Sequence, residues 1–82
     1  PKRTIRQISF RDGYATYANV NRYTGVIDSF QDVIAHGRYY YDKRAGAFLI
    51  IDERTGKPFE GVQPFIYHNG LLKNSFTFVL YR

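Results

Sequence analysis

Three consecutive tyrosines set among basic residues are the part of this sequence best suited to bind a ligand. The segment GRYYYDKRAGAF, residues 37–48, places Tyr39, Tyr40 and Tyr41 next to arginine and lysine side chains. An exposed phenol ring can stack on a nucleobase, which contributes about 1–3 kcal/mol per base. Neighbouring guanidinium and ammonium groups can hold the phosphates of the same strand. This combination indicates single-stranded nucleic acid as the leading candidate ligand.

The faces of the strand decide which tyrosines reach a ligand. Side chains alternate between the two faces of a strand, so Tyr40 lies opposite to Tyr39 and Tyr41. Because the pair outnumbers the single ring, we predict that Tyr39 and Tyr41 are exposed; a register shift of one residue would invert this assignment. A purely structural role stays open, since tyrosine is common in half-buried strands. The predicted nucleic-acid-binding surface consists of Arg6, Arg11, Arg38, Tyr39, Tyr41, Lys43 and Arg44.

The overall composition favours an anionic partner and a single small domain. Residues 1–82 contain 12 Lys and Arg against 7 Asp and Glu, which gives a net charge of +5. A positive balance attracts polyanions and acidic protein surfaces without specifying the fold. The chain has no cysteine, which excludes disulfides and thiolate metal sites and suits a cytoplasmic location. No apolar run approaches the roughly 20 residues of a membrane helix, so no membrane association is expected.

Two further functions remain open from the sequence. A basic, aromatic-rich β domain can recruit a peptide by adding it to a sheet edge, or can bind an acidic protein surface. An adaptor or inhibitor of phage or plasmid origin would share this composition. A small metal-free ribonuclease needs a base, an acid and cations, for which Glu53 and His68 are the pair to test.

The sequence favours a non-catalytic protein without metal or cofactor. His36 and His68 are the two histidines, and they do not form an H-x-x-x-H pair. The adjacent carboxylates of Asp52 and Glu53 point to opposite faces of a strand, which disfavours a magnesium site. The segment RTGKP, residues 54–58, has a single glycine and does not resemble a phosphate-binding loop. We therefore predict no catalytic residues, no metal ligands and no cofactor.

Glycine-containing pairs divide most of the chain into hairpins. Asp-Gly and Asn-Gly are strong signals for type I′ turns, whose two central residues both require positive φ. The chain contains four X-Gly pairs at the expected spacing: Asp12-Gly13, Ala45-Gly46, Thr55-Gly56 and Asn69-Gly70. These turns predict an antiparallel meander. Pro64 cannot donate a ladder hydrogen bond, so residues 62–68 are expected to form an edge strand or to contain a bulge.

The segment between the first hairpin and the tyrosines has a helical spacing. In TGVIDSFQDVIAHG, apolar residues recur at three- and four-residue steps: Val26, Ile27, Phe30, Val33 and Ile34. Gly37 follows where a left-handed C-cap is expected, and His36 suits a helix C-terminus. The spacing predicts a short helix from Ile27 to Ala35.

These elements together predict an α+β fold. We expect a mostly antiparallel sheet of five or six strands, built as a hairpin, a short helix and a meander, with the helix packed on one face. The predicted core consists of Ile8, Phe10, Ile27, Phe30, Val33, Ile34, Phe48, Ile50, Phe76, Phe78 and Leu80.

Overall fold

Positive φ values form two of the turns that the sequence predicts. The computed structural model describes residues 3–75 and 77–81, except for the side chains of residues 77 and 78. Asp12 and Gly13 have φ values of 53° and 82°, and Asn69 and Gly70 have values of 50° and 80°. Positive φ at both central positions is the turn geometry that matches the twist of a hairpin. The predicted turns at these two pairs are confirmed.

Eight strands supply nearly all regular structure of the described residues. In chain order they are β1 (Thr4–Arg11), β2 (Tyr14–Asn21), β3 (Val33–Asp42), β4 (Ala47–Asp52), β5 (Lys57–Pro58), β6 (Phe65–His68), β7 (Leu71–Asn74) and β8 (Thr77–Tyr81). The sheet runs in the order β3-β2-β1-β8-β7-β6-β4, and pairing of β3 with β4 closes these seven strands into a barrel. Strand β5 adds to β4, and β1 and β8 form the parallel pair of an otherwise antiparallel sheet.

The predicted α+β fold is wrong. The structure is nearly all β, and the described residues contain no α-helix. In place of the helix predicted from Ile27 to Ala35, the chain forms a 3-10 turn at Phe30–Asp32 and then enters β3. Val33 pairs with Ala18 of β2, so backbone groups bond across the sheet instead of along a helix. Branched side chains at the start of β3 favour this outcome, because they lose rotamer freedom in a helix.

The residues that suggested a helix have other roles. Val26 and Ile27 lie beside the outer face of β1 and β2, and Phe30 is 85% exposed. His36 and Gly37 lie inside β3, so neither caps a helix. In the part of the chain that the structure describes, no helix has the length and apolar character needed to cross a membrane.

Strand β6 is not the edge strand expected for residues 62–68. It pairs with β4 on one side and with β7 on the other. Pro64 lies just before the strand, where its missing N–H costs no ladder bond. A register shift lies instead between Tyr17 and Ala18, in the pairing of β2 with β3.

Alternate side chains of all seven barrel strands fill the interior. Those that are buried in mutual contact are Ile8, Ala15, Tyr17, Ala35, Ile50, Phe65, Leu72 and Val79. The Tyr17 and Phe65 rings meet edge to face, with centroids 4.8 Å apart. A closed barrel of this size has room for its own side chains and little else. A ligand must therefore bind on the outside or at an end.

The predicted core is correct in part. Ile8 and Ile50 are buried, and Phe10, Ile34 and Phe48 are partly buried against the core. Val33 is half-buried. Ile27, Phe30 and Leu80 are exposed, so these three assignments are wrong. Strand β8 turns Val79 inward, opposite the buried Leu72, and Leu80 outward. Phe76 and the Phe78 side chain lie outside the described residues.

A polar network crosses one end of the interior. The Tyr17 hydroxyl accepts a hydrogen bond from Arg6 at 2.9 Å and donates one to Asn74 at 3.3 Å. The Asn74 amide donates in turn to the backbone carbonyl of Gln63 at 2.6 Å. Buried polar atoms that are paired in this way avoid the cost of desolvation without a partner. Arg6 is therefore engaged in holding the barrel together.

Gly37 lies in β3, directly against the backbone of β4 at Ile51. A Cβ atom added at this position would overlap the backbone carbonyl oxygen of Ile51. The obstacle is backbone, which cannot rotate away as a side chain would. Glycine is required here by space and not by backbone dihedrals.

Replacing Gly37 by alanine should therefore destabilise the barrel strongly. We expect Gly37→Ala to lower the free energy of unfolding by about 3 kcal/mol, near the top of the range for overpacking. Urea unfolding followed by circular dichroism measures this loss. Arg38→Ala, at the exposed next position, is the matched control and should stay within about 1 kcal/mol. Equal midpoints for both variants would contradict the steric argument.

Asp52 organises the turn that follows β4. Its carboxylate accepts hydrogen bonds from the Arg54 backbone N–H at 3.0 Å and from the Arg54 guanidinium at 3.2 and 3.3 Å. The side-chain bonds first, and then the backbone bond, hold the pKa of the Asp52 carboxyl below its ordinary range. The backbone carbonyl of Asp52 also accepts from the Gly56 N–H at 2.8 Å.

The lowered pKa predicts an acid-sensitive contribution to stability. The folded-state pKa lies below the unfolded value of about 3.9, so the contribution is complete above that value and is lost as pH falls through the folded pKa. Denaturant midpoints measured from pH 7 to pH 2 should fall less steeply for Asp52→Asn than for the unchanged protein. Asp12→Asn, at a side chain that is 88% exposed, is the matched control, and its denaturant midpoint should fall at low pH as that of the unchanged protein does. If the denaturant midpoint of Asp52→Asn falls as steeply at low pH as that of the unchanged protein, this role is contradicted.

Candidate functional site

The outer face of β1, β2 and β3 presents two cross-strand rows of polar and aromatic side chains. Tyr14 lies opposite Arg11 on one side and opposite Arg38 on the other. The next row consists of Ser9, Thr16 and His36. Directly opposite residues share a face of the sheet, and the intervening Ala15 is buried inside. We call the outward group Arg11, Tyr14, Thr16, His36 and Arg38 the Tyr14 patch.

Contacts within the Tyr14 patch hold its planar groups against one another. The centroids of the Tyr14 and His36 rings are 5.6 Å apart, and the rings are stacked at an interplanar angle of 13°. The guanidinium carbon of Arg38 lies 5.1 Å from the centre of the Tyr14 ring, within the range of a cation–π contact. Thr16 Oγ1 and His36 Nδ1 are 2.8 Å apart and share a hydrogen bond. The strand backbone thus presents phenol, imidazole and guanidinium planes in a preset orientation.

An open cleft adjoins this patch. Its volume is about 410 Å³, and Ser9, Arg11, Tyr14 and His36 are among the residues that line it. The Arg11 side chain is 92% exposed and lies 3.6 Å from the Asp12 carboxylate. Ion pairs this exposed contribute little, because water screens them. Arg11 can therefore turn toward an incoming anion at small cost.

The barrel has two ends, and the predicted site residues are divided between them. The hairpin end carries the Asp12-Gly13 and Asn69-Gly70 turns and the turn between β3 and β4, because neighbouring strands there run antiparallel. Arg11, Arg38, Tyr39, Tyr41, Lys43 and Arg44 all lie toward this end. Arg6 lies toward the opposite end, paired with Asn19 and bonded to Tyr17.

The predicted exposure of Tyr39 and Tyr41 is confirmed, but both rings also pack on the core, and Tyr40 is more exposed than either. Tyr39 lies opposite the buried Ile50, and its ring meets Phe10 edge to face at 5.0 Å. Tyr41 packs on Phe48 at 4.7 Å. These rings close the hairpin end of the interior while remaining 38% and 44% exposed, whereas Tyr40 points outward and is 59% exposed. The outward ring next to Arg38 on β3 is therefore Tyr40.

The cations after β3 lie in an exposed turn. The Asp42 carboxylate accepts hydrogen bonds from the backbone N–H groups of Arg44 at 3.0 Å and Ala45 at 3.4 Å, which fixes the turn. The Lys43 and Arg44 side chains are exposed to solvent just after the end of β3. They add positive charge at the same end of the barrel as the Tyr14 patch.

The pair considered for ribonuclease chemistry is not brought together. Ala47 of β4 pairs with Ile66 of β6, and the two strands run in opposite directions. Glu53, which follows β4, therefore lies at the end of the barrel away from His68, the last residue of β6. His68 Nε2 lies 3.2 Å from the Asn69 amide nitrogen. Among residues 3–75 and 77–81, no group of three His, Cys, Asp or Glu side chains is placed to hold a metal ion.

Tyr14, Thr16 and His36 were not in the predicted site. A signal was present in the sequence, because Tyr14 and Thr16 follow the Asp12-Gly13 turn at alternate positions and must share a face. Their outward direction and the nearness of His36 depend on the register between β2 and β3. That register includes a shift between Tyr17 and Ala18, which the sequence pattern does not predict.

Comparison with known proteins identifies no relative. No protein-family model, curated protein sequence or solved structure matches the chain. The function must therefore be argued from the geometry of the site.

The direction of the tyrosines can be checked by stability. Tyr39→Ala should lower the free energy of unfolding by about 2 kcal/mol or more, because the ring packs on Phe10 and Phe48. Tyr40→Ala is the matched control and should cost less than about 1 kcal/mol, since that ring faces solvent. Urea midpoints by tyrosine fluorescence or circular dichroism give both values. A larger loss of stability for Tyr40→Ala than for Tyr39→Ala would mean that Tyr40 faces the interior and Tyr39 faces solvent.

Proposed function

We propose that this barrel is a non-catalytic binding protein for single-stranded nucleic acid, and that the Tyr14 patch is the contact surface. The observation that carries the proposal is the cross-strand row Arg11–Tyr14–Arg38, with the His36 ring stacked on that of Tyr14. An aromatic platform flanked by cations is what a sequence-tolerant single-strand site requires.

Stacking favours a single strand over a duplex. The planar groups of Tyr14, His36 and Arg38 lie on the outside of a rigid sheet, where an unpaired base can lie against them. Imidazole rings and guanidinium planes both serve as stacking partners for splayed-out bases. Tyr40 extends the same outward face of β3. Bases in a duplex are already stacked on one another and could not use these planes.

Charge supplies the second part of the proposal. Arg11 and Arg38 flank the ring, and Lys43 and Arg44 lie in a turn at the same end of the barrel. A net charge of +5 on 82 residues adds a long-range attraction for polyanions. The partly exposed Tyr39 and Tyr41 rings could add contacts at the rim of the barrel.

Protein binding is the second candidate, and one observation favours it. Ile66, Leu71 and Leu80 lie on neighbouring strands and are 47%, 51% and 47% exposed. Exposed apolar side chains grouped in this way are typical of protein contact surfaces. Addition of a peptide strand has little template here, because seven strands close into a ring and β5 has only two residues. A partner would therefore dock on the outer face instead of on an edge.

Salt-dependent binding of an oligonucleotide tests the proposal. Fluorescence anisotropy with a labelled oligothymidylate should give a log affinity that falls linearly with log salt. The double variant Arg11→Gln/Arg38→Gln should reduce the slope by about 1.4, at about 0.7 for each phosphate contact on a single strand. Tyr14→Ala should weaken binding about fivefold or more, the value of one stacked base.

Two variants away from the patch are the controls. Lys57→Gln removes one positive charge on β5, at the opposite end of the barrel, and Tyr23→Ala removes a ring that is 82% exposed. Both should bind the oligonucleotide as the unchanged protein does. Absence of binding at about 50 mM salt would overturn the proposal. A nuclease-treated pull-down that retains a protein lost on Leu71→Asp would then support the protein-binding candidate.

A further inference from the structure

Four tyrosines that share the inner face of the sheet remain exposed at the hairpin end of the barrel. We call them the tyrosine rim: Tyr39 and Tyr41 on β3, Tyr67 on β6 and Tyr81 on β8. Their exposed fractions are 38%, 44%, 50% and 42% in that order. Tyr67 lies opposite the buried Leu72, and Tyr81 lies beside the buried Ile8, so both point toward the interior. Side chains that point inward and are still this exposed surround the opening of the barrel.

Contacts between rings hold the tyrosine rim in place. The hydroxyl oxygens of Tyr67 and Tyr81 are 3.2 Å apart and share a hydrogen bond, and the two rings meet edge to face with centroids 6.1 Å apart. On β3, the Tyr41 ring packs on Phe48 with centroids 4.7 Å apart. Rings that are already ordered lose little conformational freedom when a ligand binds to them. The rim is therefore an accessible and preorganised aromatic surface.

The tyrosine rim continues the Tyr14 patch along β3. Strand β2 begins at Tyr14, which lies opposite Arg38. The half of β3 from Tyr39 to Asp42 extends beyond the start of β2 and pairs with β4 instead. Arg38 of the patch and Tyr39 of the rim are consecutive residues. A ligand on the patch can therefore reach the opening of the barrel along β3, past the end of β2.

Two cations lie beside this route. Lys43 and Arg44 are exposed in the turn that directly follows β3. Asp42, the acid of the same turn, accepts hydrogen bonds from the backbone N–H groups of Arg44 and Ala45. Ammonium and guanidinium groups next to exposed rings suit a ligand that carries both phosphates and bases. This charge favours the strand proposed for the Tyr14 patch as the occupant of the rim.

We propose that the single strand bound on the Tyr14 patch continues over the hairpin end of the barrel, where the tyrosine rim stacks its next bases. This inference rests on the proposed function of the Tyr14 patch. Lys43 and Arg44 hold phosphates between the two stacking surfaces. Tyr67 and Tyr81 mark the far part of the path, because β6 and β8 are not paired with β3. Such a path spans several nucleotides, as sequence-tolerant single-strand sites do.

A double variant that removes two ring faces and keeps apolar bulk tests the tyrosine rim. Tyr67→Leu/Tyr81→Leu should weaken binding of a labelled oligothymidylate of about 12 nucleotides by about fivefold or more, the value of one stacked base. Tyr67→Phe/Tyr81→Phe keeps both rings and should recover the affinity that the leucine variant loses. Ile66→Ala/Leu80→Ala, at neighbouring outward positions that are each 47% exposed, is the matched control and should bind as the unchanged protein does. Fluorescence anisotropy gives the affinities.

Circular dichroism at the assay temperature separates loss of binding from loss of folding. If the double leucine variant is unfolded, the single variants Tyr67→Leu and Tyr81→Leu provide the same test. Unchanged affinity of the folded leucine variants would overturn the rim, and the proposed function stands if Tyr14→Ala still weakens binding. An equal loss in Ile66→Ala/Leu80→Ala, or no recovery with phenylalanine, would overturn the rim as well. Failure of the unchanged protein to bind the oligothymidylate would remove the proposed function together with this inference.

Discussion

The structure depends on one strand that pairs with a different neighbour along each half of its length. Strand β3 pairs with β2 through Val33–Arg38 and with β4 through Tyr39–Asp42, and this staggered pairing turns an open sheet into a closed barrel. At the change of partner, Gly37 lets the backbone of β3 approach the carbonyl of Ile51. Any larger residue would hold the two strands apart. Closure in turn removes long edges and decides which face of each strand becomes the interior.

Closure also decides where function can lie. Tyr39 and Tyr41 fall on the inner side of β3, where they pack on Phe10 and Phe48 and close one end of the core. The interior is filled by the protein's own side chains, so the groups available to a partner are those on the outside. The register that sends those two tyrosines inward sends His36, Arg38 and Tyr40 outward. A single choice of register therefore produces both the core and the Tyr14 patch.

Local signals in the sequence predicted the turns, and non-local pairing decided the rest. Asp12-Gly13 and Asn69-Gly70 form the expected turns, because a type I′ turn is determined by its own two residues. The helix predicted from Ile27 to Ala35 failed because the apolar spacing has two separate causes. Val26 and Ile27 face the outer side of the first hairpin, while Val33 belongs to a strand. The predicted cations Arg11 and Arg38 do lie together, but the ring between them, Tyr14, joins them only through the pairing of three strands. Side-chain alternation places neighbouring residues of a strand on opposite faces, but it does not say which of the two faces becomes the interior.

The Tyr14 patch and the loop after β2 are held in place by different interactions. The Tyr14 patch stands on paired strands, whose backbone bonds fix the spacing between its planar groups. The loop after β2 lies beside the outer face of β1 and is organised by Asn21. The Asn21 side chain accepts hydrogen bonds from the backbone N–H groups of Tyr23 at 2.8 Å and Thr24 at 3.1 Å, and donates to Asp28 at 3.1 Å. In the proposed arrangement, strand-borne stacking and charge give affinity that tolerates many sequences, since every base has two faces and every nucleotide a phosphate.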